Sequence, residues 1–164
     1  KFTIKAHGLA DSRILFDDRA SANIRFEVLA SGTGTGTNMT ARLFDVGTGE
    51  QLASQTLSSG QVAVSGSRSS ITFDDWDKDV EISGGGQKIF RVQVAFTSFT
   101  DKNDTFQIVL RDTDENVVLR YVDGAKSGED NQVTVGSGVN TVQARDSTGF
   151  FRLLPMEGPI FVQP

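Results

Sequence analysis

Three oxygen-bearing side chains stand at alternate positions in one polar stretch, namely Asp112, Asp114 and Asn116. This spacing matches the first half of a calcium-binding loop, in which carboxylate and amide oxygens are the ligands. The glycine and the distal glutamate that complete an EF-hand loop are missing. The stretch therefore predicts either a Ca²⁺ site or a turn in which Asp and Asn bind the local backbone.

Two further acidic clusters present the same choice between metal binding and turn formation. The clusters are Asp74, Asp75, Asp77 and Asp79, and Asp101, Asn103 and Asp104. Hard oxygen ligands on such loops can hold Ca²⁺ between strands or between subunits. Ca²⁺ is thus the one cofactor that the sequence suggests, with residues 112–116 as the first choice of site and the 74–79 loop as the second.

Catalytic machinery is not indicated by the remaining reactive residues. His7 is the single histidine, and it stands beside a glycine without the G-x-S-x-G context of a nucleophilic serine. Glycoside hydrolysis needs two carboxylates that face each other across a cleft, which a sequence does not show. Trp76 is either a sugar-binding residue or a ring that packs over the edge of a sheet. We predict a protein that is not an enzyme and has no catalytic residue.

Two asparagines match the acceptor pattern for N-glycosylation. Asn38 is followed by Met39-Thr40, and Asn103 is followed by Asp104-Thr105. Both lie in predicted loops, where a glycan can be attached if the protein is secreted.

Composition narrows the class of protein. The chain has 164 residues, a formal net charge of −5 and no cysteine. Because Lys and Arg are not clustered, the chain is not expected to bind nucleic acid or an anionic membrane. No apolar stretch is long enough to span a bilayer as a helix. The absence of cysteine excludes a disulfide framework and a thiolate metal site. The start at Lys1-Phe2, already within a strand pattern, fits a mature secreted form or a segment of a longer chain.

Alternating apolar residues predict strands along most of the chain. The clearest stretch, Val80 to Phe96, has Val80 and Ile82, then a Gly84-Gly85-Gly86 break, then Phe90, Val92, Val94 and Phe96 at alternate positions. A period of two indicates a half-buried strand, and the glycines permit a turn, so a central hairpin is predicted here. A second hairpin is predicted around residues 47–50, between strands at 39–44 and 51–57. Further strands are predicted at 2–6, 22–28, 71–73, 106–110, 117–121 and 133–135.

No segment has a sustained helical period. The pattern therefore predicts an all-β fold, an antiparallel β-sandwich of the immunoglobulin-like or jelly-roll-like kind with about 8–10 strands. A chain of this length fits one domain over residues 1–164. Residues 1–16 and 150–164 are terminal strand segments that can be exchanged between subunits.

Several short motifs follow one another between roughly residues 20 and 145. They are Arg42-Leu43-Phe44-Asp45, Ile71-Thr72-Phe73, Val80-Glu81-Ile82-Ser83-Gly84-Gly85-Gly86-Gln87-Lys88, Phe90-Arg91-Val92-Gln93-Val94 and Leu119-Arg120-Tyr121-Val122-Asp123-Gly124. Their order resembles the immunoglobulin-like repeat domains of bacterial surface-layer and other cell-surface structural proteins. This chain departs from the pattern at Ser83, where such repeats often have Pro-Ala, in the acidic 74–79 insert and in the apolar tail. The resemblance implies scaffolding or adhesion outside the cell rather than catalysis.

The two ends of the chain suggest how copies would assemble. Pro155 and Pro159 prevent a helix in an apolar tail, and residues 2–6 form a strand without an adjacent hairpin partner. The tail either adds a strand to the next subunit or folds back as the last strand of its own sandwich. We expect an extracellular or cell-surface subunit of a layer or filament whose partner is itself. The alternative is a carbohydrate-binding or adhesive module that recognises cell-surface glycans. The predicted assembly residues are Phe2, Ile4, Phe150, Phe151, Leu153, Leu154, Ile160, Phe161 and Val162.

Overall fold

A computed structural model describes residues 1–6, 13–16, 23–31, 38–58, 61–62, 68–97, 104–110, 117–122, 130–135 and 156–162. In these ranges the chain forms strands joined by turns, and no helix is present. The predicted all-β fold with antiparallel sheets is confirmed. The strands are β1 (Phe2–Lys5), β2 (Arg13–Phe16), β3 (Asn23–Ser31), β4 (Met39–Asp45), β5 (Gln51–Leu57), β6 (Arg68–Phe73), β7 (Val80–Ser83), β8 (Gln87–Phe96), β9 (Thr105–Leu110), β10 (Val117–Val122), β11 (Asp130–Val135), β12 (Met156–Glu157) and β13 (Phe161–Val162).

The smaller sheet, here called sheet A, has four strands in the order β1-β8-β4-β5. Strand β8 is its longest member and pairs with β1 on one side and with β4 on the other. Its alternation places Phe90, Val92, Val94 and Phe96 on the inner face, where they pack in or against the core. The predicted inward face of this strand is therefore confirmed.

The larger sheet, sheet B, contains the remaining nine strands. Strand β3 pairs with β6 on one side, and with β9 and β10 on the other. Strand β10 also pairs with β2, so β2 and β3 continue one another along it. Strands β12 and β13 likewise both pair with β9. Several of the thirteen segments are thus pieces of longer, interrupted strands.

The two sheets pack face to face through aromatic side chains. Phe16 of β2 approaches Phe90 of β8 with ring centroids 6.4 Å apart, and Phe96 approaches Phe106 of β9 at 4.8 Å in an edge-to-face arrangement. Burying a phenylalanine side chain stabilises a fold by about 1.5–3 kcal/mol, and edge-to-face pairs add to this. Aromatic contacts between the sheets therefore make a large contribution to the core.

The predicted hairpin over Val80 to Phe96 is wrong in its connection. Strand β7 pairs with β2 in sheet B, whereas β8 pairs with β1 and β4 in sheet A. The chain crosses from one sheet to the other at the glycine turn, where Gly85 has a φ of 76° and its N–H donates to the Ala6 carbonyl. Both segments still bury their apolar sides, because Val80 and Ile82 of β7 and Phe90 of β8 belong to the same hydrophobic core.

The second predicted hairpin is confirmed. Strands β4 and β5 pair antiparallel from Met39 with Leu57 to Phe44 with Gln51, with an irregularity after Leu43. Gly49 in the turn has a φ of 77°, a conformation that favours glycine, and its N–H donates to the Asp45 carbonyl. This hairpin places Asp45, the last residue of β4, next to the turn.

Candidate assembly edges and charged surfaces

The N-terminal strand β1 forms one edge of sheet A. It pairs with β8 from Phe2 with Phe90 to Lys5 with Gln87. The Phe2 ring stacks on Phe90 at 5.3 Å, and Ile4 is only 4% exposed. Within the part of the chain that the structure describes, β1 has a strand neighbour on this side only. The segment is therefore an edge strand that is firmly packed into the core.

The C-terminal segment forms an edge of sheet B in two short pieces. Met156 and Glu157 pair with Leu110 and Val109, and Phe161 and Val162 pair with Phe106 and Thr105. Between the pieces, the Gly158 N–H donates to the Ile108 carbonyl at 2.8 Å. A Cβ atom on residue 158 would lie 2.9 Å from that carbonyl oxygen, so the close approach requires glycine. The tail is thus held by backbone bonds to β9, by the Gln107 side chain, which donates to the Gly158 carbonyl, and by Met156, which packs against the core.

The end of this tail exposes large apolar side chains. Ile160 is 62% exposed, and Phe161 and Val162 are each 58% exposed. An edge strand with exposed apolar residues is a surface on which another chain can pair. The edge of sheet B at β13 is therefore the candidate assembly site.

The predicted assembly residues fall into three groups. Phe2 and Ile4 lie in the packed edge strand β1, and Ile160, Phe161 and Val162 lie at or in the exposed strand β13. The other four, Phe150, Phe151, Leu153 and Leu154, lie outside the described residues. Both terminal segments pair with strands of their own chain. This is the fold-back arrangement.

The acidic segment 74–79 leaves sheet B after β6 and runs beside the edge strand β5 of sheet A. Trp76 forms a bridge with Ala53, and the Asp77 N–H donates to the Leu52 carbonyl at 2.8 Å. The Trp76 side chain points inward, is 7% exposed and lies 5.1 Å from the Phe16 ring. Trp76 therefore closes one flank of the sandwich, as the packing interpretation of this residue predicts.

The carboxylates around Trp76 point away from the core. The side chains of Asp74, Asp75, Asp77 and Asp79 are exposed. Among the described residues, no three His, Asp or Glu side chains are placed so that together they could hold a metal ion. The first-choice calcium ligands Asp112, Asp114 and Asn116 lie outside those residues. A calcium site on 112–116 stays a prediction.

Two other predicted positions differ in their accessibility. Asn38 is exposed directly before β4, which is compatible with a glycan at this position. Asp104 is buried at 4% exposure before β9, whereas Asp101 and Asn103 lie outside the described residues. His7 also lies outside them.

A buried ion pair that the sequence alone did not reveal stabilises the end of the core. Asp45, 5% exposed at the end of β4, accepts a hydrogen bond from Lys88 Nζ at 2.6 Å and another from the Gly47 N–H at 2.7 Å. Burial alone would raise the pKa of Asp45, but the bonds from Lys88 and Gly47 outweigh it and hold this pKa below its ordinary value. The carboxylate is therefore charged at neutral pH.

A second, exposed pair joins the acidic segment to the β4–β5 turn. Lys78 Nζ lies 2.7 Å from Glu50 Oε1, with about half of each side chain exposed. The hydrogen bond from Lys78, followed by its charge, lowers the pKa of Glu50. The contact helps to fix the position of segment 74–79 beside β5.

The outer face of sheet A carries positive charge. Its outward side chains include Lys5 on β1, Arg91 on β8 and Arg42 on β4, and the Arg91 guanidinium carbon lies 4.8 Å above the centre of the Phe44 ring. No Asp or Glu is among the outward side chains of the four described strands. The alternation of polar residues along β4 and along β8 is visible in the sequence. That the polar residues of the two strands share one face of sheet A is known only from the order of the strands in the sheet.

Comparison of the chain with family models, curated proteins and solved structures finds no match. The resemblance to surface-layer repeats therefore depends on the quoted motifs alone. Among the described residues, no helix has the length and apolar character needed to cross a membrane.

Proposed function

We propose that this chain is an extracellular structural protein, a subunit of a surface layer or filament that is assembled by β-strand contacts between copies. The observation that carries the proposal is the C-terminal edge, where Ile160, Phe161 and Val162 are each more than half exposed. Such an edge favours pairing with another chain.

The C-terminal segment is better suited for exchange than the N-terminal strand. Detaching β1 would expose Ile4, which is 4% exposed, and would break the Phe2 contact with Phe90. Detaching β13 would cost little apolar burial, because Phe161 and Val162 are already mostly in water. The backbone bonds that β13 makes with β9 can be made equally with β9 of another copy. Segment 156–162 is the proposed donor strand, with the exposed β13 as its readily detached part and Met156 as the residue whose core contact the acceptor copy would have to replace.

Repetition of this exchange produces a chain of subunits. The donor strand and its acceptor β9 are different surfaces, so the contact is heterologous and leaves one donor and one acceptor free at the ends. If the rotation between neighbours does not close a ring, the product is a filament.

A cysteine pair across the proposed contact tests the exchange. The chain contains no cysteine, and Val162 pairs directly with Thr105. In the variant Thr105→Cys/Val162→Cys, oxidation at assembling concentrations should yield a covalent ladder on a non-reducing denaturing gel. The matched control Thr3→Cys/Ile89→Cys joins β1 to β8 and should yield covalently closed monomers.

Two outcomes would contradict the proposal in different ways. Closed monomers from Thr105→Cys/Val162→Cys, in samples that form polymers in negative-stain micrographs, would show that strand exchange is wrong. The absence of any polymer over the accessible concentration range would reject the structural function itself. Deletion of residues 150–164 should leave a folded protein that no longer polymerises.

The alternative of a carbohydrate-binding module receives less support. Trp76, the side chain that suggested sugar stacking, is 7% exposed and packs on Phe16. A sugar ring cannot stack on it without opening the flank of the sandwich. A glycan array with the wild type and Trp76→Phe would detect binding that uses other residues.

A further inference from the structure

The outer face of sheet A and the acidic segment beside it form two strips of opposite charge that face the same way. Arg42 pairs with Ser54 on β5, and Asp75 precedes the Trp76 residue that bridges Ala53 on the other side of β5. Strand β5 therefore lies between an arginine strip, formed by Arg42 and the Arg91 guanidinium, and an aspartate strip, formed by Asp75 and Asp77. Neighbouring strands are about 4.8 Å apart, so the strips are separated by about 10 Å.

The two strips are matched at two levels along the strands. At one level lie Asp75, Ser54 and Arg42. At the next level lie Asp77, which accepts a hydrogen bond from Gln51 Nε2 at 3.2 Å, and the Arg91 guanidinium over Phe44, the partner of Gln51. Each level thus has a carboxylate on one side of β5 and a guanidinium on the other.

These opposite charges do not pair within one molecule. Arg42 and Arg91 form no ion pair with a described residue. The acidic segment is held away from them by the Trp76 bridge, by the Asp77 N–H bond to the Leu52 carbonyl and by the Lys78 pair with Glu50. Arg91, Asp75 and Asp77 are exposed and Arg42 is half-buried, all on the same side of the sheet, so a flat partner with the reverse charge order would satisfy both strips together.

We propose that the outer face of sheet A binds the same face of a second copy about a two-fold axis that runs along β5. This rotation exchanges left and right across the axis and preserves the level along the strands. It places Asp75 of each copy opposite Arg42 of the other, and Asp77 opposite the Arg91 guanidinium. The contact is isologous, so every ion pair occurs twice. It is a self-contact separate from the exchange of segment 156–162, and together the two contacts would join filaments side by side.

The chemistry of the face sets the character of this dimer. Guanidinium groups bind carboxylates through paired hydrogen bonds, and the surrounding Ser54, Thr56 and Gln93 side chains can tolerate a wet interface. Exposed ion pairs are individually weak and are screened by salt. A weak dimer that dissociates on addition of salt is therefore expected. A second copy is favoured over an anionic polysaccharide because this chain itself supplies the acidic strip at the matching spacing.

Charge exchange between two variants tests the pairing. Variants Arg42→Glu/Arg91→Glu and Asp75→Lys/Asp77→Lys should each dimerise at least about tenfold more weakly than the wild type in low-salt sedimentation equilibrium. An equimolar mixture of the two should regain dimers, because each contact then joins opposite charges again. Arg25→Glu, an exposed charge reversal on β3 of sheet B, should leave the dimer unchanged.

A single cysteine locates the axis. Ser54 lies between the strips, so Ser54→Cys should form a disulfide-linked dimer in low salt and much less of it in 1 M NaCl. Ser83→Cys, at an exposed position on β7 in sheet B, should not show this salt-dependent product. A single cysteine cannot produce a ladder, so this result is distinct from the test of strand exchange.

Three results would overturn the face-to-face dimer. The first is dimerisation of the arginine variant with wild-type affinity. The second is a mixture of the two charge variants that stays monomeric at low salt. The third is binding of polygalacturonate that requires Arg42 and Arg91 while the protein remains monomeric, which would assign the face to an anionic polysaccharide. None of these depends on whether segment 156–162 is exchanged.

Discussion

Lys88 donates a hydrogen bond from Nζ to Asp45 Oδ2 at 2.6 Å across the neighbouring strands β8 and β4, at the end of the core between the sheets. Asp45 is 5% exposed and Lys88 retains about a third of its side-chain exposure. The lysine can thus neutralise a buried carboxylate while its own ammonium remains partly hydrated. The same carboxylate also fixes the β4–β5 turn through Gly47.

Removal of the lysine should destabilise the fold. In Lys88→Met, Asp45 would keep its bond from Gly47 but lose its charged partner, and we expect a loss of about 1–3 kcal/mol in the free energy of unfolding. Lys78→Met is the matched control, because its pair with Glu50 is exposed, and its effect should be much smaller. Urea denaturation at pH 7 measures both. Equal effects of the two substitutions would show that the buried pair is not special.

The lowered pKa of Asp45 predicts a loss of stability in acid. A carboxyl whose folded pKa lies below its ordinary value of 3.8 stabilises the fold at higher pH, and this contribution is lost as the pH falls through the folded pKa. The wild type should therefore lose stability below about pH 3.8, and its advantage over Lys88→Met should shrink there. Denaturation midpoints between pH 7 and pH 2 check this. An advantage that stays constant over this range would contradict the assignment.

Truncation of Trp76 should open the flank of the sandwich. In Trp76→Ala the contact with Phe16 is lost, and we expect about 3–5 kcal/mol of destabilisation, whereas Trp76→Phe should cost less because a ring remains. The wild-type fluorescence of this single tryptophan should shift to longer wavelength on unfolding. A Trp76→Ala variant with unchanged stability would favour a surface role for the residue instead.

Calcium is expected to raise the melting temperature if residues 112–116 bind it. A ligand that binds only the folded form adds about 2.7 kcal/mol when its concentration is 100 times the dissociation constant. The shift between millimolar calcium and chelator should vanish in Asp112→Asn/Asp114→Asn. The shift should persist in Asp74→Asn/Asp79→Asn, because the exposed 74–79 carboxylates are only the second choice of calcium site and do not contribute if residues 112–116 bind the ion. The same melting temperature with and without calcium would remove the metal site.

The side of each strand that faces the core could be predicted, because alternation is a local property of the chain. Phe90, Val92, Val94 and Phe96 lie inside as their spacing predicts. The hairpin at Gly49 was also predictable, because its turn and both strands are contiguous.

Partners distant in sequence could not be predicted in this way. A glycine turn such as the one at Gly85 permits either a hairpin or a crossing between sheets, and alternation on both sides is the same in the two cases. The Lys88–Asp45 pair and the opposition of the aspartate and arginine strips both require the sheet order, which joins β8 to β4 and places segment 74–79 beside β5. These features are long-range, and no local pattern specifies them.

The crossing between β7 and β8 also determines the order in which the fold can be completed. The only described strand partner of β1 is β8, so Phe2 cannot pair with Phe90 until the ribosome has synthesised β8. A hairpin would have closed locally, whereas sheet A requires closure of a loop that spans half of the chain. Folds dominated by such distant pairings form slowly, on the scale of milliseconds to seconds. Until β8 is made, the nascent strand β1 lacks its strand partner and is open to premature association, and its short length and Lys5 limit that risk.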